Sequence, residues 1–173
     1  MSMYPATESK MTGVIFGSDP VTIRQRGFEV VPDEHRQYPD ESIRLPQRAT
    51  CGSACYDVYS PVSVYIAPHA STIICTDVRA YMQPGEVLMA YPRSSMGKIP
   101  IRLCNGTGVI DSDYYGNETN GGNIAIMLQN MSDHIVEIKQ GERICQMMFT
   151  TYLLTDNDET DRIRAGGFGS TGS

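Results

Sequence analysis

The sequence predicts an all-β fold with little helix, in the form of a sandwich, jelly roll or barrel. Short apolar runs recur from Phe28 onward, and Gly- or Pro-containing turn signals separate them. Ile124, Ile126 and Leu128 alternate with less apolar neighbours, which is the period-two pattern of a half-buried strand. A sustained 3.6-residue period, the mark of a long helix, is missing from the sequence. Many short strands at this spacing are typical of closed or layered β folds.

The individual strands follow from the apolar runs in chain order. Each run is bounded by residues that favour turns, such as Pro84-Gly85, Gly106 or Gly141. One short helix is expected from Ser94 to Lys98. The predicted strands are FEVV, DVYS, SVYIAP, STIICTDV, EVLMAYP, IRLC, NIAIMLQN, HIVEIKQ and RICQMMFTTYLL.

The chain divides into three segments. Residues 1–26 form an N-terminal extension of unassigned role, in which GVIF and VTIRQ are either short strands or parts of a loosely held segment. Residues 27–154 carry the strand pattern and form the β domain. Residues 155–173 begin with the acidic linker TDNDETDR and end in a Gly-rich tail, too poor in apolar residues to form a core.

Composition excludes several classes of protein. The 173 residues carry a net charge of −6, which disfavours nucleic acid and anionic membranes as partners. No apolar run reaches the ~18–20 residues of a membrane span, and the N-terminus lacks a signal-peptide pattern. The five cysteines include no CxxC pair, so neither zinc nor a disulfide framework is expected. We therefore expect a soluble intracellular protein.

Two segments are suited to phosphate. The tail RAGGFGSTGS offers arginine charge, hydroxyls, flexible backbone and one aromatic ring, although a disordered terminus has the same composition. In PRSSMGK, Arg93 and two serines meet at a possible helix start, which predicts either phosphate binding or an ordinary helix cap.

Two further segments carry polar residues at strand ends. In CNGTGVIDSDYYG, NGTG predicts a hairpin turn, and Asp111 follows an apolar pair. Asp111 is then either a general base or a turn residue that binds its own backbone. In GERICQ, Gln146 could reach an anion, but the segment is equally an ordinary entry into a strand.

Taken together, these segments resemble a known family. From about Arg44 to the C-terminus, the chain contains five segments that are similar, in order, to the five motifs of the trimeric dUTPases. These segments are GSACYDVYS, PRSSMG, NGTGVIDSDYYGN, GERICQMMF and GGFGSTG. The resemblance implies a distorted, β-clip-like jelly-roll subunit and a homotrimer that exchanges its C-terminal arms. It also implies active sites between subunits, and Mg²⁺-assisted hydrolysis of dUTP to dUMP and pyrophosphate. That reaction limits uracil incorporation into DNA and supplies dUMP for thymidylate synthesis.

The third motif carries the catalytic and base-reading roles that the resemblance implies. Asp111 is expected to position and deprotonate the water that attacks the α-phosphorus. Tyr114 is expected to pack on the deoxyribose and to exclude a 2′-hydroxyl. Asn105, with the surrounding backbone of Gly108 and Val109, is expected to recognise uracil, since fixed donors and acceptors would be left unpaired by cytosine.

The first, second and fourth motifs imply a triphosphate site. By the resemblance, Arg93, Ser94, Ser95 and Gln146 bind phosphate oxygens, and Asp57 assists the metal indirectly, through water. Ser95 stands where the family usually has glycine.

The tail is expected to close over the substrate. The resemblance implies that Phe168 stacks on uracil and that Gly169, Ser170 and Thr171 contact the outer phosphates. The family has an arginine five residues before the aromatic, whereas Ile163 stands there in this chain. Either flanking arginine, Arg162 or Arg164, could supply the charge; Arg164 is included among the expected substrate contacts.

Two other interpretations concern individual segments and the activity. Residues 117–122 include an apparent insertion, which is either an idle loop or a binding site for a protein partner. A dCTP deaminase shares the fold, but Met127 occupies the position of its catalytic glutamate, and methionine cannot take a proton. A nucleotide-binding regulatory trimer without turnover is the remaining alternative.

Overall fold

The computed structural model describes residues 23–160. Within that range the chain forms eleven β-strands and three 3₁₀ segments, which confirms an all-β fold with little helix. The 3₁₀ segments are η1 Asp33–His35, η2 Ser94–Lys98 and η3 Ser112–Tyr114. The strands are β1 Gly27–Val30, β2 Tyr56–Tyr59, β3 Val64–Ile66, β4 Ser71–Cys75, β5 Val78–Tyr81, β6 Glu86–Tyr91, β7 Ile101–Leu103, β8 Gly108–Asp111, β9 Ala125–Asn130, β10 Val136–Ile138 and β11 Arg143–Thr151.

All strand pairs are antiparallel, and two sheets carry most of the fold. One sheet has four strands in the order β2-β11-β6-β8, and the other has three in the order β4-β9-β7. Two-stranded ribbons, β1 with β5 and β10 with β3, complete the architecture. Among residues 23–160, no helix is long and apolar enough to cross a membrane.

The core is built from residues that alternate along these strands. β9 alternates half-buried and buried side chains, with Ile126 and Leu128 inside, as the period-two pattern predicts. Ile74 of β4 and Leu88 of β6 are fully buried in the same apolar cluster. Each such side chain contributes roughly 1.5–3 kcal/mol through burial, which fixes the position of the strands that carry polar residues at their ends.

The run STIICTDV forms two strands rather than the single strand that the sequence predicts. The chain turns at Asp77, which is fully buried and has a φ of 54°. Its carboxylate accepts hydrogen bonds from the backbone N–H groups of Gln37 and Tyr38, both at 2.8 Å. These bonds compensate for the cost of the left-handed backbone at Asp77. The strands on either side of this turn, β4 and β5, belong to different sheets.

The segment NGTG is not the turn of a β-hairpin. β7, which precedes it, pairs with β9, whereas β8, which follows it, pairs with β6. The backbone N–H of Gly106, with a φ of 68°, donates to the carbonyl of Leu103 at 3.2 Å, so a turn is present. That turn carries the chain from one sheet to the other.

The N-terminal part is described from Ile23 only. Residues 23–25 of the predicted strand VTIRQ are not in a strand, and β1 begins at Gly27. The segment GVIF lies outside the described residues.

Candidate active site

A cleft opens where β2, β11 and the turn after β6 come together. Its volume is about 490 Å³, and it contains residues from the first, second and fourth of the sequence segments described above. The lining residues are Ala49, Ser53, Ala54, Cys55, Asp57, Arg93, Ser94, Ser95, Arg143 and Gln146.

Asp57 is the centre of this cleft. The residue is 8 % exposed, and its two carboxylate oxygens have different partners. Arg93 Nε donates to Oδ1 at 2.8 Å, and Arg143 Nη1 donates to Oδ2 at 3.2 Å. Because one carboxylate holds two guanidinium groups, the three side chains carry a net positive charge. An oriented positive site of this kind is suited to phosphate oxygens.

A β-bulge in β11 brings Arg143 and Gln146 to the same cleft. Residues three apart on a regular strand point to opposite faces. The register between β11 and β2 shifts between Arg143 and Cys145, which adds one residue to β11. Ile144 and Cys145 are consequently buried one after the other, and Arg143 and Gln146 both line the cleft.

The turn after β6 is held by contacts of its own side chains. Arg93 Nη1 donates to Ser95 Oγ at 3.0 Å, so the serine that replaces the family's glycine helps to orient the arginine. Ser95 lies within η2, a right-handed conformation that needs no glycine. Gln146 Nε2 donates to the carbonyl of Pro92 at 2.9 Å and ties β11 to this turn. The helix predicted from Ser94 to Lys98 is confirmed as the 3₁₀ segment η2.

Cys145 lies in the apolar core, beside the cleft residues of β11, and is chemically quiet. Its side chain is fully buried. Burial, reinforced by the negative charge of Asp57, raises the pKa of the Cys145 thiol to about 12, although Arg93 acts in the opposite direction. The thiol is therefore neutral at physiological pH and does not compete with Asp57 for the arginines.

A second group of predicted site residues surrounds β8. Asp111 ends this strand, Tyr114 ends the 3₁₀ segment that follows it, and Asn105 lies in the turn before it. β8 is the edge strand of the four-stranded sheet, and edge strands present backbone donors and acceptors to a ligand. Val109 is 60 % exposed at this edge.

Gly108 allows β8 to lie close to β6. A Cβ at this position would lie 3.1 Å from the Cβ of Ala90, a contact tighter than most. The same Cβ position lies 3.8 Å from Asn105 Nδ2, so the start of β8 runs next to Asn105.

Asp111 and Arg93 lie at opposite ends of β6. Asp111 pairs with Val87, near the start of β6, whereas Arg93 follows Tyr91, at its end. Four residues of antiparallel strand separate these ends by about 14 Å. One chain therefore does not bring Asp111 to the cleft that contains Arg93.

Part of the predicted site lies outside residues 23–160. The predicted contacts of the tail all fall in residues 161–173, namely Arg164, Phe168, Gly169, Ser170 and Thr171. Within the described residues, no group of three or more His, Cys, Asp or Glu side chains is placed to hold a metal ion. Asp57 is the acidic residue of the cleft lining, and both of its oxygens already bind arginines.

Sequence reasoning missed Arg143 as a residue of the site. The segment GERICQ is compatible with an ordinary strand entry, and the usual alternation places Arg143 and Gln146 on opposite faces. The available signal is the adjacent pair Ile144-Cys145, since two successive apolar residues at a strand start can mark a bulge.

The chain has relatives among known proteins, in sequence and in structure. The sequence profile of the dUTPase family matches residues 41–172. The chain is 44 % identical over 151 residues to a deoxyuridine 5′-triphosphate nucleotidohydrolase of Lactococcus lactis, covering 86 % of this chain and 98 % of that protein. The corresponding protein of avian adenovirus 8 is 36 % identical over 132 residues, covering 73 % and 77 % of the two chains.

Solved structures show the same relationship. The crystal structure of a dUTPase from Streptococcus mutans superposes with a TM-score of 0.67 at 38 % identity, over 76 % of this chain and 99 % of that one. A mutant dUTPase from phage phi11 of S. aureus, described for its coordination of a structural Mg(II) ion, gives 0.61 at 18 % identity, over 81 % and 99 % of the two chains. That identity shows a likeness of fold alone. From its sequence, its fold and these relatives, the chain belongs to the dUTPase family and is an enzyme that hydrolyses dUTP.

Proposed function

We propose that this chain hydrolyses dUTP at sites that two or more copies build together. The cleft around Asp57 of one copy receives the triphosphate, and Asp111 of another copy activates the attacking water. The observation that carries this proposal is the placement of Asp111 and Arg93 at opposite ends of β6. The products are dUMP and pyrophosphate, formed by attack of water on the α-phosphorus.

The cleft supplies charge and position for the phosphates. Arg93 is oriented by Asp57 and Ser95, so its remaining N–H groups are already aimed when the substrate arrives. Arg143 is 48 % exposed at the side chain and can turn from Asp57 towards a phosphate oxygen. Phosphoryl transfer depends mainly on positioning and on neutralising charge, and these residues provide both. Ser94 and Gln146 line the same cleft and complete the phosphate contacts.

The region around β8 supplies the base-reading and catalytic groups. Backbone groups at the exposed edge of β8, with Asn105, pair with the edge of uracil, and Tyr114 forms the wall beneath the deoxyribose. Asp111 accepts a proton from the water as it attacks the α-phosphorus. From the tail, Phe168 is proposed to stack on uracil, a contact worth ~1–3 kcal/mol. Arg164, Gly169, Ser170 and Thr171 are proposed to contact the phosphates.

The acidic residue of the cleft, Asp57, fits a magnesium ion that the substrate itself carries. Mg²⁺ commonly binds to one or two carboxylates together with substrate phosphates and waters. Asp57, with both oxygens on arginines, is placed to accept a hydrogen bond from such a water rather than to ligate the metal directly. When bound, Mg²⁺ supplies charge neutralisation on the triphosphate.

The segment that follows β11 supports assembly into a homotrimer with exchanged C-terminal arms. Leu153 and Leu154 are 95 % and 68 % exposed, on a stretch that belongs to no strand. Contact with another copy would remove these side chains from water. The same segment leads towards residues 161–173, where the tail motif lies.

Mixing two inactive variants tests both the activity and the sharing of sites. Arg93→Ala removes a side chain that is proposed to bind the phosphates. Asp111→Asn removes the proposed general base. Each variant alone is expected to release little pyrophosphate from dUTP in the presence of Mg²⁺. After the two are unfolded and refolded together in equal amounts, about a quarter of the sites should combine an intact Arg93 with an intact Asp111 from another copy.

The expected result is therefore recovery of about a quarter of the wild-type rate of pyrophosphate release. The control is each variant refolded alone by the same procedure. A mixture as inactive as the separate variants would refute sites shared between copies. A wild-type chain that releases no pyrophosphate from dUTP would refute the proposed activity itself and favour a nucleotide-binding protein without turnover.

A further inference from the structure

Residues 117–122, here called the asparagine loop, are folded inward against the catalytic segment. Asn117 and both glycines, Gly121 and Gly122, are buried, although the loop is polar and rich in turns. The loop contacts two elements: η3, which carries Tyr114, and η1, where the ring of His35 packs against Gly121. Buried polar side chains nearly always have hydrogen-bond partners, and those of this loop include both the backbone and the hydroxyl of Tyr114.

Asn120 reaches the hydroxyl of Tyr114 directly. Asn120 Nδ2 donates to Tyr114 Oη at 2.8 Å, and that hydroxyl donates to the carbonyl of Asn123 at 2.8 Å. Tyr114 is only 9 % exposed, so its hydroxyl is anchored inside the protein. With its hydroxyl end held at two points, the ring has one preferred orientation towards the site.

The rest of the loop holds Asn120 and the Tyr114 backbone in place. Asn117 Nδ2 donates to the carbonyl of Tyr114 at 2.9 Å and to Asn120 Oδ1 at 2.8 Å. The backbone N–H of Gly122 donates to the same Asn120 Oδ1 at 3.1 Å. A Cβ on Gly122 would lie 2.9 Å from the Tyr114 carbonyl oxygen, so the loop backbone packs directly on the catalytic turn.

The network continues into the core. Asn123 Nδ2 donates to Asp77 Oδ1 at 2.8 Å, and Asn123 Oδ1 accepts from the backbone N–H of Asp77 at 3.0 Å. Asp77 is fully buried and rigidly bonded to the segment after η1. The hydroxyl of Tyr114 is thus fixed to the protein interior on one side and to the asparagine loop on the other.

We propose that the asparagine loop is a positioning element for Tyr114 and that Asn120 is a specificity-determining residue. This inference rests on the proposed role of Tyr114 as the wall beneath the sugar. A wall held in one place leaves no space for a 2′-hydroxyl, whereas a ring that can shift admits it. Asn120 therefore contributes to the preference for deoxyribose over ribose without touching the substrate.

The substitution Asn120→Asp changes the hydrogen bonds at the hydroxyl of Tyr114. An aspartate keeps an oxygen for the N–H of Gly122 and for Asn117 Nδ2, so the fold of the loop is retained. It loses the Nδ2 hydrogens that donate to Tyr114 Oη and, at 3.3 Å, to the carbonyl of Asn123. Since the tyrosine hydroxyl has one hydrogen, it can then donate to the carboxylate or to the Asn123 carbonyl but not to both, and one of its two anchors is lost. We expect the ratio of kcat/KM for dUTP to kcat/KM for UTP to fall roughly three- to tenfold, the effect of one lost buried hydrogen bond. The ratio of Kd values for dUMP and UMP should change in the same direction.

Two controls separate this effect from loop damage and from added charge. Glu118→Gln alters an exposed side chain of the same loop, and both ratios should stay at the wild-type value. In a Tyr114→Phe background, Asn120→Asp should change either ratio by less than about twofold, because the hydroxyl that it acts through is missing.

The inference is overturned if Asn120→Asp keeps wild-type ratios, or if its effect is equally large in the Tyr114→Phe background. A wild-type chain without turnover of dUTP would refute the proposed activity, but the binding of dUMP and UMP would still decide the role of the loop. A wild-type chain that binds these two nucleotides equally well would overturn the role of the loop as well.

Discussion

Replacing Asp57 with asparagine should destabilise the free protein by an amount that the geometry allows us to bound. Asparagine can keep one oxygen for Arg93 Nε, now without the negative charge, but presents an N–H₂ group to Arg143 Nη1. Weakening a buried bond between charged groups costs about 1.5–3 kcal/mol. The half-exposed Arg143 contact adds only ~0–1 kcal/mol. We expect a total near 2–3 kcal/mol, which for a chain of this size corresponds to a fall in Tm of about 5–10 °C.

Pyrophosphate should reverse part of that loss. With the carboxylate gone, the two guanidinium groups repel each other until an anion enters the cleft. Ligand binding stabilises the folded state according to its affinity, so added pyrophosphate should raise the Tm of Asp57→Asn more than that of the wild type. kcat/KM for dUTP should nevertheless fall about tenfold, because Arg93 is no longer held in one orientation.

The measurement is thermal unfolding with and without pyrophosphate, together with steady-state release of pyrophosphate from dUTP. Asp156→Asn makes the same chemical change at an exposed acid beyond β11 and serves as the control. A Tm for Asp57→Asn within about 1 °C of the wild type, with equal stabilisation of both by pyrophosphate, would show that Asp57 does not organise the arginines.

Two further outcomes follow from the site and from its buried thiol. Since the pKa of Cys145 is raised to about 12, the free energy of unfolding should fall as pH rises from 9 towards 12, where the unfolded chain loses the proton and the folded chain keeps it. Cys145→Ala should flatten that dependence in urea titrations made across this range, and an unchanged slope would contradict the burial argument. Truncation after Asp161 should lower kcat/KM for dUTP by about ten- to a hundredfold, the value of a stacking contact, while sedimentation and circular dichroism stay as in the full chain. Full activity of the truncated chain would remove the tail from the mechanism.

The local grouping of the candidate site residues could be predicted from the sequence because it depends on short segments. Asp111 and Tyr114 are separated by two residues in one turn, and Arg93, Ser94 and Ser95 are consecutive. Residues this close stay together in any fold that forms the turn. The strands were predictable for the same reason, since the alternation around Ile126 and Leu128 is a local signal.

What the sequence did not reveal depends on pairing between distant segments. The bulge that turns Arg143 towards Asp57 exists only in the register of β11 against β2. Likewise, the partners of β7 and β8 are strands from other parts of the chain, so a turn between them predicted a hairpin that does not form. The bonds from Asn120 and Asn123 to Tyr114 also could not be predicted, because Asn-rich turns usually bond to themselves.

The position of β6 explains why association and chemistry are linked in the proposed mechanism. β6 lies between β11 and β8, so its backbone is paired on both sides. A strand held in this way cannot bend to bring Asp111 and Arg93 of one chain together. A local motion of the free chain does not complete the site under the proposed function, and the missing group comes from another copy. Under the proposed function, contact between copies is a requirement of the reaction itself, in addition to anything that it contributes to stability.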